Sequence, residues 1–320
     1  LIHSGSSGAR TSIPHRESRL RAYAALVLAL AGITWSAIFV RWAGTPGPVS
    51  AFYRVLIAAA VLIPWRLAVT PKPRAASAPD ARRARWIAVA GGVFFALDLA
   101  LWNTAVMRTQ AAVASLLGNL TPVFVGLLSW VVLARRPHGP FWAGLVLSLI
   151  GCSLTVRAHL DADIGAGTLL GDALAIAASS FFAAYLLTTE RVRAAMDTLT
   201  FNTLAIAGSV VTLGVICAGM GLPLVGYPPR TWLALAGLGL ISQLGAYYAL
   251  VYALGHLPAT VTSVSLLAQV PGTAILAALL LGEPLSASQI AGTAIVLAGI
   301  YIVNRMETPG PAATQAKKSN

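Results

Sequence analysis

Charge is what this 320-residue sequence has least of. Asp, Glu, Lys and Arg make up 10% of it, where an ordinary soluble domain carries roughly 25%. So few ionised groups cannot clothe a soluble surface of this size, which excludes a soluble globular fold. Lysine is nearly missing: Lys72, Lys317 and Lys318 are the whole supply. There is no Gly-x-x-x-x-Gly-Lys-Ser/Thr loop, which removes ATP-driven pumping by this chain. Cysteine is limited to Cys152 and Cys217. Each sits in an apolar run without partner spacing, so neither a disulfide framework nor a zinc motif follows. The histidines lie in tails and loops and the carboxylates do not cluster. A membrane-embedded enzyme would need a nucleophile–base pair or metal ligands, so no enzyme, metal or cofactor is expected.

What is present is apolar length. Hydrophobic residues form 57% of the chain, and crossing hydrocarbon takes roughly 20 of them per helix. Such runs fall at 22–43, 47–69, 86–106, 109–133, 141–157, 168–189, 199–221, 231–254, 258–281 and 285–303. Turn chemistry separates them, as at Thr45-Pro46-Gly47-Pro48, Pro71 to Pro79, Arg136-Pro137-His138-Gly139-Pro140 and Tyr227-Pro228-Pro229. The expectation is an all-α integral membrane protein with ten transmembrane helices. Polar tails occupy 1–21 and 305–320. His3-Ser4-Gly5-Ser6-Ser7-Gly8 reads as a cloning remnant outside the fold. The apolar run from residue 23 continues to Val40 without a cleavage region, so a spanning helix is expected there and not a signal peptide.

The net charge of +12 points to membrane topology, not to nucleic acid, because the basic residues lie between the runs. With the N-terminus in the cytoplasm, 17 Lys and Arg fall inside and only Arg41, Arg108, Arg157 and Arg230 outside. That bias predicts cytoplasmic termini, a cytoplasmic loop at 70–85 and an external Glu283. The halves also repeat. Trp86-Ile87-Ala88-Val89-Ala90-Gly91 matches Trp232-Leu233-Ala234-Leu235-Ala236-Gly237, and Ser115 to Asn119 matches Ser265 to Gln269. Gly144 and Gly151 match Gly292 and Gly299. Five helices per repeat is an odd number, so the second repeat (158–304) must lie inverted relative to the first (22–157), as in secondary transporters.

With these residues in view, the sequence resembles the drug/metabolite transporter superfamily, within it the ten-helix EamA-type carriers and the YddG-like amino-acid exporters. The resemblance rests on Thr34-Trp35-Ser36, Ala51-Phe52-Tyr53-Arg54, Ala114-Ser115-Leu116-Leu117 through Thr121-Pro122, and Leu281-Gly282-Glu283-Pro284 with Gly292 and Gly299. It covers roughly residues 22–304. It departs at Arg135-Arg136, where Gly-Glu is usual, and at Phe182, near where amino-acid exporters of the family often carry Trp. What it implies is a carrier of amino acids or related metabolites.

Three groups of residues are candidates for the solute site. Asn119 and Gln269 each lie about ten residues into a run, hence about 15 Å deep. Each is followed by a proline, Pro122 or Pro271, that frees the carbonyl four residues back. Such polar groups need either a cavity or a neighbouring helix to bond. Arg54 and Asp98 lie at similar depths, about 9 and 12 Å, and are expected as a charge pair, either structural or coupled to solute or protons. Trp35, Phe39, Trp102, Phe182, Tyr185 and Tyr248, with Ser115 and Ser265, complete a possible wall for a solute with an apolar body. For any single aromatic, packing or lipid contact is the default reading. Gly144, Gly151, Gly292 and Gly299 mark the fifth and tenth runs as scaffold or homodimer contact.

The expected function is therefore secondary transport of a small organic solute across the bacterial inner membrane, with export of amino acids by alternating access. The partners are that solute and membrane lipid. The alternatives are a channel-like facilitator or an efflux carrier for other metabolites or drugs.

Overall fold

The computed structural model describes residues 13–69, 78–108, 114, 117–156, 166–281 and 286–306. Among the described residues every regular element is helical. In chain order these are α1 (Ile13–Thr34), α2 (Ser36–Ala43), α3 (Gly47–Ala68), α4 (Ala78–Val106), α5 (Thr121–Val131), α6 (Gly139–Val156), α7 (Ala166–Arg193), α8 (Thr198–Gly219) and α9 (Pro229–Gly237). They continue with α10 (Tyr248–Leu254), α11 (Ala259–Ser265), α12 (Gln269–Leu281) and α13 (Ala287–Met306). A π-helix, Leu238–Tyr247, joins α9 to α10, and a 3-10 turn, Leu266–Ala268, joins α11 to α12.

Seven described stretches are long and apolar enough to span a membrane: Ser18–Ala43, Gly47–Ala68, Asp80–Val106, Leu169–Arg193, Thr198–Gly219, Pro229–Leu254 and Ala287–Arg305. Thr121–Val131 and Gly139–Thr155 are shorter apolar helices. Four of the ten expected runs are thus not continuous α-helices. The first breaks at Trp35 and the eighth passes through the π-helix. The fourth turns at Asn119 and Leu120, and the ninth tightens into 3-10 geometry at Leu266–Ala268. Each of these last two irregularities sits just ahead of a proline, which has no N–H to carry the α-ladder through. Residues 70–77 of the expected 70–85 loop and Glu283 lie outside the described residues, and 78–85 are not loop but the first turns of α4.

Large apolar side chains such as Val131, Val211, Val215, Leu233 and Leu279 stand more than half exposed, as they would toward lipid. Trp86 and Trp130 are likewise exposed near helix ends, where indole rings suit the headgroup region. The halves do not form separate bodies. α3 and α4 pack on α8, α4 also on α7, and α1 lies against the π-helix, α10 and α12.

Small residues let the backbones meet. A Cβ on Gly144 would stand 2.6 Å from the Gly299 carbonyl oxygen, and one on Gly151 would stand 2.6 Å from that of Gly292. The glycine faces of α6 and α13 therefore pack on each other within one chain. α4 and α8 meet in the same way, with Ser209 donating to the Gly92 carbonyl at 2.7 Å.

Between α7 and α8 the chain turns on Asp197, whose carboxylate caps α8 by accepting from the Thr200 amide at 2.9 Å and its hydroxyl at 2.7 Å. Burial pushes this carboxyl up, but the Thr200 bonds and Arg193 outweigh burial and hold it below the ordinary aspartate value. A lowered pKa stabilises the fold above the unfolded value, and the contribution is lost as pH falls through the lowered one. Asp197→Ala is expected to cost about 1 kcal/mol at neutral pH. In detergent melting curves the gap to wild type should close under acid; a gap that persists there would remove the capping account.

Candidate functional site

Arg54 sits in α3 with 2% of its surface exposed. A charge at the centre of a spanning helix costs roughly 2.5–3.5 kcal/mol, so its surroundings carry the information. Its Nε donates to Gln243 Oε1 at 2.6 Å and its Nη1 to Ser36 Oγ at 3.0 Å. The guanidinium carbon lies 4.9 Å from the centre of the Tyr247 ring, an attraction of about 0.5–2 kcal/mol depending on desolvation. The Arg54 Nη2 has no hydrogen-bond partner. Two irregular elements supply these contacts: Ser36 opens α2 just after the break at Trp35, and Gln243 and Tyr247 belong to the π-helix. π-helical turns are rare and concentrate at functional positions.

Phe95, Asp98 and Trp102 follow at helical spacing on one face of α4. Phe95 packs on Tyr185 with ring centres 4.7 Å apart and on Tyr247 at 4.8 Å. Phe182 stacks on Tyr185 at 6.0 Å and meets Tyr247 edge-on at 6.3 Å. Asp98, 8% exposed, interacts electrostatically with Arg54, Tyr185 and Tyr247. The expected Arg54–Asp98 contact pair is not formed, whereas Arg135 and Glu190 pair at 3.0 Å. The physical reason is that the guanidinium is turned toward neutral acceptors on α2 and the π-helix and lies against Tyr247.

The symmetric amides do meet: Gln269 Nε2 donates to Asn119 Oδ1 at 2.8 Å. The bond ties the two broken segments together beside Trp102, whose ring would lie 3.1 Å from a Cβ on Gly118. Behind Pro122, the Gly118 carbonyl accepts from the Thr121 hydroxyl at 3.0 Å. Pro271 follows the 3-10 turn in the second half. Trp35 and Phe39 stack at 5.8 Å, and with Trp102 they cover Leu238 and Val40.

Other candidates lie elsewhere. Tyr248 stacks on Trp65 at 5.5 Å and packs with Ala58, Leu62 and Ile206, away from Arg54. Ser265 accepts from Asn304 Nδ2 at 3.2 Å, toward α13. Ser115 lies outside the described residues.

The two ends of the bundle differ. At one, a cavity of about 790 Å³ is lined by residues that include Phe39, Arg41, Trp42, Tyr227, Arg230 and Thr231. At the other, Arg135 Nη1 meets Glu190 Oε1 at 3.0 Å, and Glu190 Oε2 accepts from the Ala259 amide at 3.2 Å. That strap links the segment after α5 to the end of α7 and the start of α11.

Sequence reasoning passed over Gln243, Tyr247 and Glu190. A signal existed for Gln243, a bare amide twelve residues into an apolar run. None existed for Tyr247. α-Helical spacing placed Tyr248 on the inward face, and the π-helix, with its wider turn, brings Tyr247 there instead.

No nucleophile–base pair lies in this arrangement, and no group of three His, Cys, Asp or Glu occurs among the described residues. What the arrangement offers is fixed donors and aromatic faces. The EamA-like transporter family matches residues 22–157 and again 169–305. The chain is 26% identical over 205 residues to the uncharacterized transporter YwfM of Bacillus subtilis, covering 64% of this chain and 68% of that protein. It is 26% identical over 260 residues to YdfC of the same organism, another uncharacterized transporter, covering 80% and 82%. An uncharacterized transporter of Archaeoglobus fulgidus is 28% identical over 214 residues, covering 63% and 71%. A solved crystal structure superposes with a TM-score of 0.70 at 19% identity, over 91% of this chain and 98% of its own, and so shares the fold. Apolar spans and a twice-matched family agree: the chain belongs to the EamA-like transporter family and is a multi-pass membrane transporter.

Proposed function

We propose that this chain is a secondary carrier of the bacterial inner membrane that exports a small organic solute, an amino acid or a related metabolite, by alternating access. In this reading ten spans form two inverted five-helix repeats with both termini cytoplasmic. The observation that carries it is Arg54, a charge buried in a spanning helix and held by the break before α2 and by the π-helix. A charge so placed in a transporter marks the path of its cargo. One family match per half and the Asn119–Gln269 bond at repeat-related positions support two related halves around one centre. The Arg135–Glu190 strap and the cavity at the opposite end support a conformation closed at the cytoplasm and open outside.

Two measurements test this. In proteoliposomes, a carrier is expected to show saturable uptake of a labelled solute that unlabelled solute on the opposite side accelerates. A channel-like facilitator gives flux without that acceleration, and an efflux carrier for other compounds gives it with solutes that are not amino acids. For topology, a cysteine placed at Ala78 should be labelled only from the cytoplasm and one at Glu283 only from outside. Labelling of residue 78 from outside overturns the orientation.

A further inference from the structure

We propose that the cavity between the end of α2 and the start of α9 holds the phosphate head group of an anionic phospholipid, clamped by Arg41 and Arg230. The site does not depend on the carrier reading; the orientation given above decides only which leaflet supplies the lipid. The cavity measures about 790 Å³, within the roughly 300–1,000 Å³ of small-molecule sites. Both guanidinium groups line it, and no acidic side chain does so among the described residues. Neither arginine has a hydrogen-bond or ion-pair partner among those residues.

Arg41 stands in the last turn of α2, where the helix dipole favours a cation. Arg230 has no such reason to be where it is. It is the second residue of α9, at the helix end that repels a cation and attracts an anion. Two guanidinium groups and the amide end of α9 thus converge on one space, and a bound anion answers all three. Arg is also the side chain whose planar fork suits phosphate. With the proposed orientation, two of the four arginines on the outer side lie in this one cavity, on the side where the positive-inside bias thins them out.

The walls are fixed by hydrogen bonds within the chain. Thr231 donates to the Ala43 carbonyl at 2.9 Å, Tyr53 donates to the Leu224 carbonyl, and Trp232 Nε1 donates to the Tyr227 carbonyl at 3.2 Å. The rim selects a lipid over a free anion. Trp42 is 59% exposed and Leu233 74%, and both line the same cavity as the arginines. Their apolar surface continues from the anion site toward the bilayer, where acyl chains can lie against it. A free phosphate would use none of it.

The test is native mass spectrometry of the full chain in detergent, titrated with phosphatidylglycerol or with phosphatidylcholine. Wild type is expected to hold one phosphatidylglycerol at least about tenfold more tightly than phosphatidylcholine, since anionic lipid attracts each arginine near the surface. In the double variant Arg41→Gln with Arg230→Gln, the two lipids should come within about threefold of each other. Arg136→Gln with Arg305→Gln removes two exposed arginines outside this cavity and should keep the full preference.

A preference that survives the Arg41 and Arg230 double variant overturns the proposal. So does an equal loss in the Arg136 and Arg305 control, which would mean that scattered surface charge holds the lipid. If the first double variant does not fold, its single variants decide: each should lose at least about threefold, and wild-type preference in both overturns the site. Free glycerol 3-phosphate tests the other source of the anion and should not displace the lipid. Displacement that disappears in the double variant overturns the lipid assignment and makes the cavity a site for soluble anions.

Discussion

Gly292→Val is expected to prevent accumulation of folded protein. α6 and α13 cross on glycine, and a Cβ at position 292 would lie 2.6 Å from the Gly151 carbonyl oxygen and 2.8 Å from the Thr155 amide nitrogen, and would also strike the Thr155 hydroxyl. These obstacles are mostly backbone, so no rotamer change makes room. The helices must separate, and the close contacts on both sides of the crossing loosen together, including the one at Gly144 and Gly299. Overpacking alone costs about 1–3 kcal/mol. Lost helix contact adds to that, enough to consume much of a marginal stability of about 5–15 kcal/mol. Gly219 provides the control: nothing lies within 4 Å of a Cβ there, so Gly219→Ala should leave stability unchanged or raise it by up to about 1 kcal/mol. Fluorescence-detected size exclusion and melting curves read both variants, and a wild-type melting temperature for Gly292→Val would refute the tight crossing.

The second large effect is expected at the amide pair. Asn119→Leu and Gln269→Met each remove the 2.8 Å bond that joins the two broken segments. Interhelical hydrogen bonds in membranes are worth about 0.6 kcal/mol on average and up to about 1.7. The surviving amide also loses one of its bonds, which adds to the cost. Each single variant should therefore melt measurably lower, while the double variant should cost less than the sum, because no amide remains to lose its mate. If the amides bind the solute instead, melting stays put and apparent affinity falls five- to hundred-fold, the equivalent of about 1–3 kcal/mol. Additive stability losses with unchanged affinity would dismiss both roles for the pair.

Much of this molecule is legible before any coordinates, because the bilayer restricts what a sequence can do. Spacing and apolarity alone mark the runs at 47–69, 86–106, 168–189 and 199–221, and each is a continuous helix in the structure. Gly144, Gly151, Gly292 and Gly299 advertise a close crossing by their spacing, and the two pairs are found against each other. Arg54, Asp98, Asn119 and Gln269 stand out as polar residues at depth, since in hydrocarbon any such group demands an explanation. Hydrogen-bond partners were beyond reach. Arg54 prefers Gln243 and Ser36 to Asp98, and Tyr247 replaces Tyr248 at the centre because a π-helix changes the angle per residue.

The sequence by itself determined the solvent, the helical class, the near-repeat of two halves and the short roll of polar residues that hydrocarbon would not tolerate idle. These follow from hydropathy and spacing, which are properties of each segment alone. Only the tertiary structure decided which of those residues touch. The Asn119–Gln269 bond spans 150 positions and the Arg54–Gln243 bond 189, and both depend on where irregular turns point their side chains. The breaks ahead of Pro122 and Pro271 have a local cause, but the π-helix contains no proline and forms where packing against other helices outweighs the α-ladder, so that choice is made by the assembled bundle and not by the local chain.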